Sequence, residues 1–414
     1  MLPYDTDSRM IRGAGPPTND ARRRRARRLR STWPAAICLV GVLTFALWPT
    51  AAGAATGWTV PSWPTWPSLP TIPGLPKLPS LPVGANPTKP TWNPLPVTGG
   101  GTTTAPPTST PTSGQAAGKT FTGTYTGSAG ALDYQAYVPS TYKAGTAVPL
   151  VVALHGCTET ADVFRQLTRW DALAEAKGFI VVFPQQSHSG NNLECWNFFQ
   201  QAHMARDQGE PALIAGITQW VQQHYTVDPH RIYVNGLSAG GAMASVMAAT
   251  YPDLYAAAGI GSGCEYAATA ACAGYKSADP VAAGQQAYQA MGSHARPMPV
   301  ILFEGDQDTT VPPVNAQQLV QQWQVTDDYA DGGGKDGSVP VQPTAVTHGT
   351  SSGGQGYTVT TYSDRDEGEL MQSWLVAGMG HAWSGGCGCQ QYSDPAGPDE
   401  TAAMYTFFMA HPMP

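Results

Sequence analysis

The chain has 414 residues, of which 42% are hydrophobic and 12% charged, with a formal net charge of −7. Nine of its 22 Lys and Arg residues lie before residue 31, and beyond residue 57 there are 13 basic against 26 acidic side chains, a net of −13. A surface of that sign repels polyanions and has no basic stripe, which argues against nucleic acid and leaves neutral or apolar partners.

The first segment carries "RRRRARRLR", then the apolar run "AAICLVGVLTFALW", then small residues with Ala52 and Ala54 in an A-x-A arrangement. That order is the pattern of an export signal, and cleavage is expected near Ala54. The apolar run from Ala35 to Trp48 has 14 residues, shorter than the ~20 a spanning helix needs, so an uncleaved anchor is the weaker alternative. Residues 1–57 are therefore read as signal peptide or signal anchor, and the protein as secreted or tethered to the cell envelope.

Residues 58–118 form a Pro/Thr/Ser-rich linker. In "PSWPTWPSLPTIPGLPKLPSLP" a proline recurs every third residue from Pro61 to Pro82. Polyproline II has three residues per turn, so these prolines share one edge of an extended rod. Trp63, Trp66, Leu69, Ile72, Leu75, Leu78 and Leu81 form a second, apolar edge. The rod reads first as a stiff spacer; the sharper reading is contact with the cell envelope or a polymer surface through the Trp and Leu edge.

From residue 119 to 414 strands alternate with helices. "VPLVVALHG" is a buried strand, "WDALAEAKG" a helix stopped by Gly178, "FIVVFPQ" a strand and "LIAGITQWVQQHY" a helix. "RIYVNG" is a strand and "AGGAMASVMAATYP" a helix; "YAAAGIGSG", "MPVILFEGDQD", "PPVNAQQLVQQWQ" and "LMQSWLVAGMGH" continue the series, and "DETAAMYTFFMAH" closes it as a helix. The alternation predicts an α/β domain with a mainly parallel sheet covered on both faces, its functional groups at the carboxyl ends of the strands.

Outside the signal there are six cysteines, an even number that in an exported chain suggests disulfides. The preferred pairing is Cys157 with Cys195, Cys264 with Cys272, and Cys387 with Cys389, the last closing a small ring in "CGC". Zinc is disfavoured because no histidine or further cysteine stands at ligand spacing around these positions.

The pentapeptide "GLSAG" at 236–240 fits G-x-S-x-G between a strand and a helix, the context in which a nucleophilic serine stands on a sharp, strained turn. A capping serine at a Gly-rich helix start is the bland alternative. A serine nucleophile needs a base held by a carboxylate, and in this arrangement the chain order is Ser, acid, His. Ser238 is the candidate nucleophile, Asp306 and Asp308 in "GDQDTTVPP" the candidate acids, and His381 in "AGMGHAW" the candidate base. His348 and His411 read as surface, and His155 as shaping its loop. Oxyanion donors are expected at Ala239 and, from the loop "LHGCTET", at Cys157 or Thr158.

"LHGCTET", "ECWNFF", "YVNGLSAGGAMASVMAATYPDLYAAAGIGSG" and "GMGHAWSGG" together resemble the secreted polyhydroxybutyrate depolymerase family of esterases, related to feruloyl and acetylxylan esterases, over residues 119–411. The resemblance implies an α/β-hydrolase fold, hydrolysis of carboxylic esters and no metal or other cofactor. It puts the family's serine on Ser238 and its histidine on His381, and its acidic motif selects Asp308, with Asp306 as runner-up. Glu304 stands where that motif usually has histidine, and "CGC" after His381 departs from the pattern. Trp196 and Trp383 fall near the family's cleft and are candidate substrate contacts. The expected substrate is an extracellular ester, polymeric or decorating a polysaccharide. No separate polymer-binding domain is read after residue 411, which favours soluble or oligomeric esters. A serine peptidase on the same fold and a wall-associated binding protein are the alternatives.

Overall fold

The computed structural model describes residues 118–414 except 269–271, 273–278, 333 and 366–367. The signal segment and nearly all of the proline-rich linker lie outside the described residues.

The chain forms a ten-stranded sheet in the order β1-β2-β4-β3-β5-β6-β7-β10-β9-β8. Its centre is parallel, with β3 (Val148–Leu154) flanked by β4 (Ile180–Gln185) and β5 (Val227–Leu237), followed by β6 (Ala257–Gly261), β7 (Val300–Gly305) and β10 (Glu369–Val376). Both margins are antiparallel. The hairpin of β1 (Lys119–Gly127) and β2 (Gly130–Val138) joins β4, and the hairpin of β8 (Ala345–Thr350) and β9 (Gly356–Ser363) joins β10. The mainly parallel sheet expected from the sequence is present, but its hairpin margins were not part of that expectation.

Strand alternation divides the core into two layers. Leu150, Val152 and Leu154 of β3 face the layer containing Ile214 and Ile217 of helix α3 (Gly209–His224) and Met243 and Met247 of helix α4 (Ala239–Thr250). Val151 and Ala153 face the opposite layer, with Phe164 of α1 (Ala161–Thr168), Trp170 of α2 (Trp170–Lys177) and Phe408 of α7 (Glu400–Ala410). The remaining helices are α5 (Pro280–Met291) and α6 (Val314–Gly332). Phe408 stacks on Tyr233 at 4.8 Å between ring centroids and on Trp170 at 6.3 Å, tying the C-terminal helix to the sheet and to α2. Burial of each such ring contributes of the order of 2–3 kcal/mol. Every residue of α4 is buried, as its run of Ala, Gly and Met requires: small side chains let this helix lie close to the strands around it.

The three disulfides join Cys157 to Cys195, Cys264 to Cys272, and Cys387 to Cys389, matching the preferred pairing. Among the described residues no helix is long and apolar enough to cross a membrane.

The tightest backbone approach lies where α4 begins. A Cβ on Gly240 would fall on the carbonyl oxygen of Leu154 and within 2.6 Å of that of His155, both rigid backbone. Gly240→Ala should therefore destabilise the fold by about 2–3 kcal/mol, read as a lower urea midpoint with unchanged m-value; an unchanged midpoint contradicts this packing.

Candidate active site

The carboxyl ends of β5, β7 and β10 carry the three candidate groups. Ser238 occupies the single residue between β5 and α4, at φ 58° and ψ −121°. A side chain at that angle is strained and is held there by its surroundings. Its N–H donates to Gly261 O at 2.9 Å, and its carbonyl accepts the Ala242 N–H at 2.9 Å. The hydroxyl makes no capping hydrogen bond, so the capping alternative is set aside. Ser238 is partly exposed on a turn whose neighbours Gly236, Gly240 and Gly241 all have backbone where a Cβ would be. That is why the serine is surrounded by small residues.

Asp308 lies three residues past β7 and is 3% exposed. Its Oδ1 accepts the N–H groups of Thr310 at 2.7 Å and Val311 at 2.8 Å, and its Oδ2 accepts from His381 Nδ1 at 2.6 Å. Burial alone pushes this carboxyl up, but the bond and charge of His381 together with the two backbone donors outweigh it, and the acid sits below its ordinary range. With Nδ1 committed to the carboxylate, His381 has Nε2 left for a proton. The ring is packed edge-on by Tyr392 at 5.9 Å.

Asp306 is exposed and holds the chain instead: its Oδ1 accepts the Gly378 N–H at 2.7 Å, bracing the turn that leads from β10 to His381. The Gln307 N–H donates to Met379 O at 3.0 Å from the same side. The structure thus brings Asp308, not Asp306, to His381. Ser238 Oγ makes no hydrogen bond among the described residues, to His381 Nε2 or to any other group. Such links often tighten only in the substrate complex.

Two backbone donors flank the serine. Ala239 opens α4, so its N–H has no intrahelical acceptor. Cys157 is tied by its disulfide to Cys195, and its N–H donates to no group among the described residues. Thr158 differs from the sequence expectation: its N–H already donates to Leu193 O at 2.7 Å, which leaves Cys157 as the free donor of the two candidates.

Trp196 and Trp383 are also corrected. Both are fully buried and so present no surface to a substrate. The Trp196 indole N–H donates to His155 O at 3.0 Å, supporting the 155–158 loop from behind. The Trp383 indole N–H donates to Thr401 Oγ1 at 2.9 Å, and its ring packs edge-on against Phe164 at 5.5 Å. An indole buried whole needs such an acceptor, and each has one.

Sequence reasoning did not find the buried acids around the site. Glu304 is the penultimate residue of β7 and is 2% exposed; burial lifts its carboxyl well above the ordinary range, and the charge of Asp308 lifts it further. Glu400 at the start of α7 is fully buried and likewise raised by burial, its Oε2 accepting the Ser384 N–H at 2.9 Å. The signals for Glu304 were its place at the end of the apolar run "VILFE" and its standing where the family's acidic motif usually has histidine. Among the described residues no three His, Cys, Asp or Glu side chains gather as a metal site.

Comparison with known proteins decides the relationship. The family model described as "Esterase PHB depolymerase" matches residues 132–340. The chain belongs to this esterase family. Poly(3-hydroxyalkanoate) depolymerase C of Paucimonas lemoignei is 34% identical over 260 residues, which is 61% of this chain and 58% of that protein. Acetylxylan esterase A of Emericella nidulans is 32% identical over 263 residues, 60% of this chain and 79% of that protein. The chain thus spans less than two thirds of the depolymerase it matches. Among solved structures, an acetyl xylan esterase from Aspergillus awamori superposes with a TM-score of 0.53 at 26% identity, covering 63% of this chain and 94% of that one. The shared architecture is the α/β-hydrolase fold.

The two acids are expected to separate by experiment. Asp308→Asn should lower kcat by about ten-thousand-fold, because an amide neither fixes the His381 tautomer nor stabilises its cation. Asp306→Asn, which keeps an acceptor for Gly378, should lose less than about tenfold. Steady-state hydrolysis of an activated ester checks both, and a larger loss at Asp306 reverses the assignment.

Proposed function

We propose that this family member is an exported serine esterase that cleaves carboxylic esters through Ser238, His381 and Asp308. The observation that carries the reading is the 2.6 Å bond from His381 Nδ1 to an ionised, backbone-anchored Asp308, at the same sheet rim as a serine on a strained turn. A protein that only bound its ligand would have no use for this arrangement.

The reaction follows from these groups. Ser238 Oγ attacks the ester carbonyl while His381 Nε2 takes its proton, and the resulting imidazolium is stabilised by Asp308. Negative charge builds on the former carbonyl oxygen, facing the N–H groups of Ala239 and Cys157, where one such donor is worth about 3 kcal/mol in the transition state. Collapse of the tetrahedral species breaks the ester C–O bond, and His381 returns the proton to the leaving alcohol. Water then repeats the sequence on the acyl-enzyme, releasing the acid and restoring Ser238.

The substrate class is an ester outside the cell. Polyhydroxyalkanoate-type polyesters or their oligomers, and acetyl esters of polysaccharide, are the classes that the names of the relatives bring forward; feruloyl esters are added by the resemblance of the sequence motifs. Residues 1–57 as export segment and 58–118 as spacer complete the reading; the apolar edge of the spacer is suited to contact with an envelope or polymer surface.

Ser238→Ala should lower the hydrolysis of p-nitrophenyl butyrate at least about a thousandfold relative to wild type. Equal rates end the esterase reading and leave a binding protein. Product release from polyhydroxybutyrate, methyl ferulate and acetylated xylan, assayed side by side, then ranks the natural ester.

A further inference from the structure

Glu159 has no part in the mechanism above, yet it lies two residues past Cys157 in the same loop. It is 3% exposed. Its Oε2 accepts the Gly156 N–H at 2.7 Å. A Cβ built on Gly156 would stand 3.0 Å from that oxygen and 3.5 Å from the Cβ of Ser238. One missing side chain therefore separates the carboxyl from the candidate nucleophile. Its other oxygen, Oε1, is buried without a hydrogen-bond partner.

The groups around it offer no counter-charge. His155, at the start of the loop, is buried and held neutral, its pKa lowered by burial to about 4. Its Nε2 accepts the Gln186 N–H at 3.0 Å, so Nδ1 carries the proton and donates to Gly156 O at 2.7 Å. On the following helix Arg165 is engaged by Asp162 and Asp171. The end of β4 contributes the neutral Gln185 and Gln186, and the start of α4 contributes Ser238 and Ala239.

These bonds fix the peptide that matters. The Gly156 carbonyl and the Cys157 N–H belong to one trans peptide and point in opposite directions. His155 holds the carbonyl end, and Glu159 holds the N–H of the peptide just before it. Together they set the direction of the Cys157 N–H. An ionised Glu159 would be a buried anion with a single hydrogen bond, close to where a second negative oxygen must form, and both effects disfavour it.

We propose that Glu159 is a positioning residue of the oxyanion hole that serves in its uncharged form, one oxygen holding the Gly156 N–H and the other carrying the proton. This deepens the esterase reading and rests on it. Burial raises the acid to about 7 against the opposing pull of the Gly156 N–H. The sign follows: Glu159 is neutral and supportive below that value, and charged and opposed to the oxyanion above it. The fold loses the corresponding stability as pH rises from the ordinary 4.5 of a free glutamate through about 7.

The test compares wild type, Glu159→Gln and Glu159→Ala with p-nitrophenyl butyrate across the pH range. Wild-type kcat/KM should fall on the alkaline side as Glu159 ionises. Glu159→Gln keeps an acceptor for Gly156 but cannot ionise; it should retain activity within about threefold at low pH and lose the alkaline fall. Its thermal midpoint should exceed that of wild type above neutral pH, the gap closing toward acid. Glu159→Ala should lower kcat about tenfold or more with KM within twofold. A Glu159→Gln profile with an unchanged alkaline fall, a wild-type profile with no such fall, or equal losses in Gln and Ala overturns the proposal. Ser238→Ala, assayed alongside, separates that failure from failure of the esterase reading, since an inactive Ser238→Ala leaves the latter standing.

Discussion

Everything at this site depends on how closely two backbone turns approach each other. The start of α4 lies against the end of β3 because Gly240 leaves room for the carbonyls of Leu154 and His155. That contact puts the loop of Cys157 beside Ser238, so the candidate nucleophile and one candidate oxyanion donor are placed by the same packing. The positive φ at Ser238 is strained by itself. It is maintained because α4 is buried along its whole length and because the Ser238 N–H is anchored to Gly261. The strain is thus offset by the core and held at the candidate nucleophile.

The acids around the rim sort by how many donors each receives. Asp308 has two backbone N–H groups and an imidazole, and stays ionised despite its burial. Glu159 has one backbone donor, as does each of Glu304 and Glu400, and all three are raised by burial. Of these four buried carboxyls, negative charge is favoured most at Asp308, the one bonded to a histidine. Acids kept uncharged by burial would not compete with the oxyanion of the proposed reaction. Burial without donors keeps an acid uncharged, and donors restore the charge.

How much of this was legible in the sequence follows from what each feature depends on. The central strands announced themselves because "VPLVVALHG" and "RIYVNG" are buried on both faces and read as continuous or near-continuous apolar runs. Ser238 was legible from local grammar, strand then G-x-S-x-G then helix. The β1–β2 hairpin was not read: "KTFTGTYTG" alternates threonine with aromatic residues and glycine along an edge that is half exposed, and it follows a threonine-rich linker of similar composition. The choice between Asp306 and Asp308 rested on resemblance, since two acids two residues apart on one tight turn differ only in which side of it they face. Trp196 and Trp383 were placed near the cleft by their motifs, but whether an indole lines a cleft or supports it from within depends on partners distant in the chain, His155 and Thr401. Glu159 read as one polar letter in a loop, because its burial and its hold on Gly156 exist only in three dimensions.

In the proposed reaction Ser238, His381 and Asp308 act as one unit, and covalent trapping tests this: treat the protein with diethyl p-nitrophenyl phosphate, digest it, and locate the added mass. A single diethylphosphoryl group is expected on the peptide containing Ser238, formed with loss of p-nitrophenol and slowed at least about a hundredfold in His381→Ala. Labelling of a different residue, or labelling of Ser238 at the same rate without His381, contradicts it.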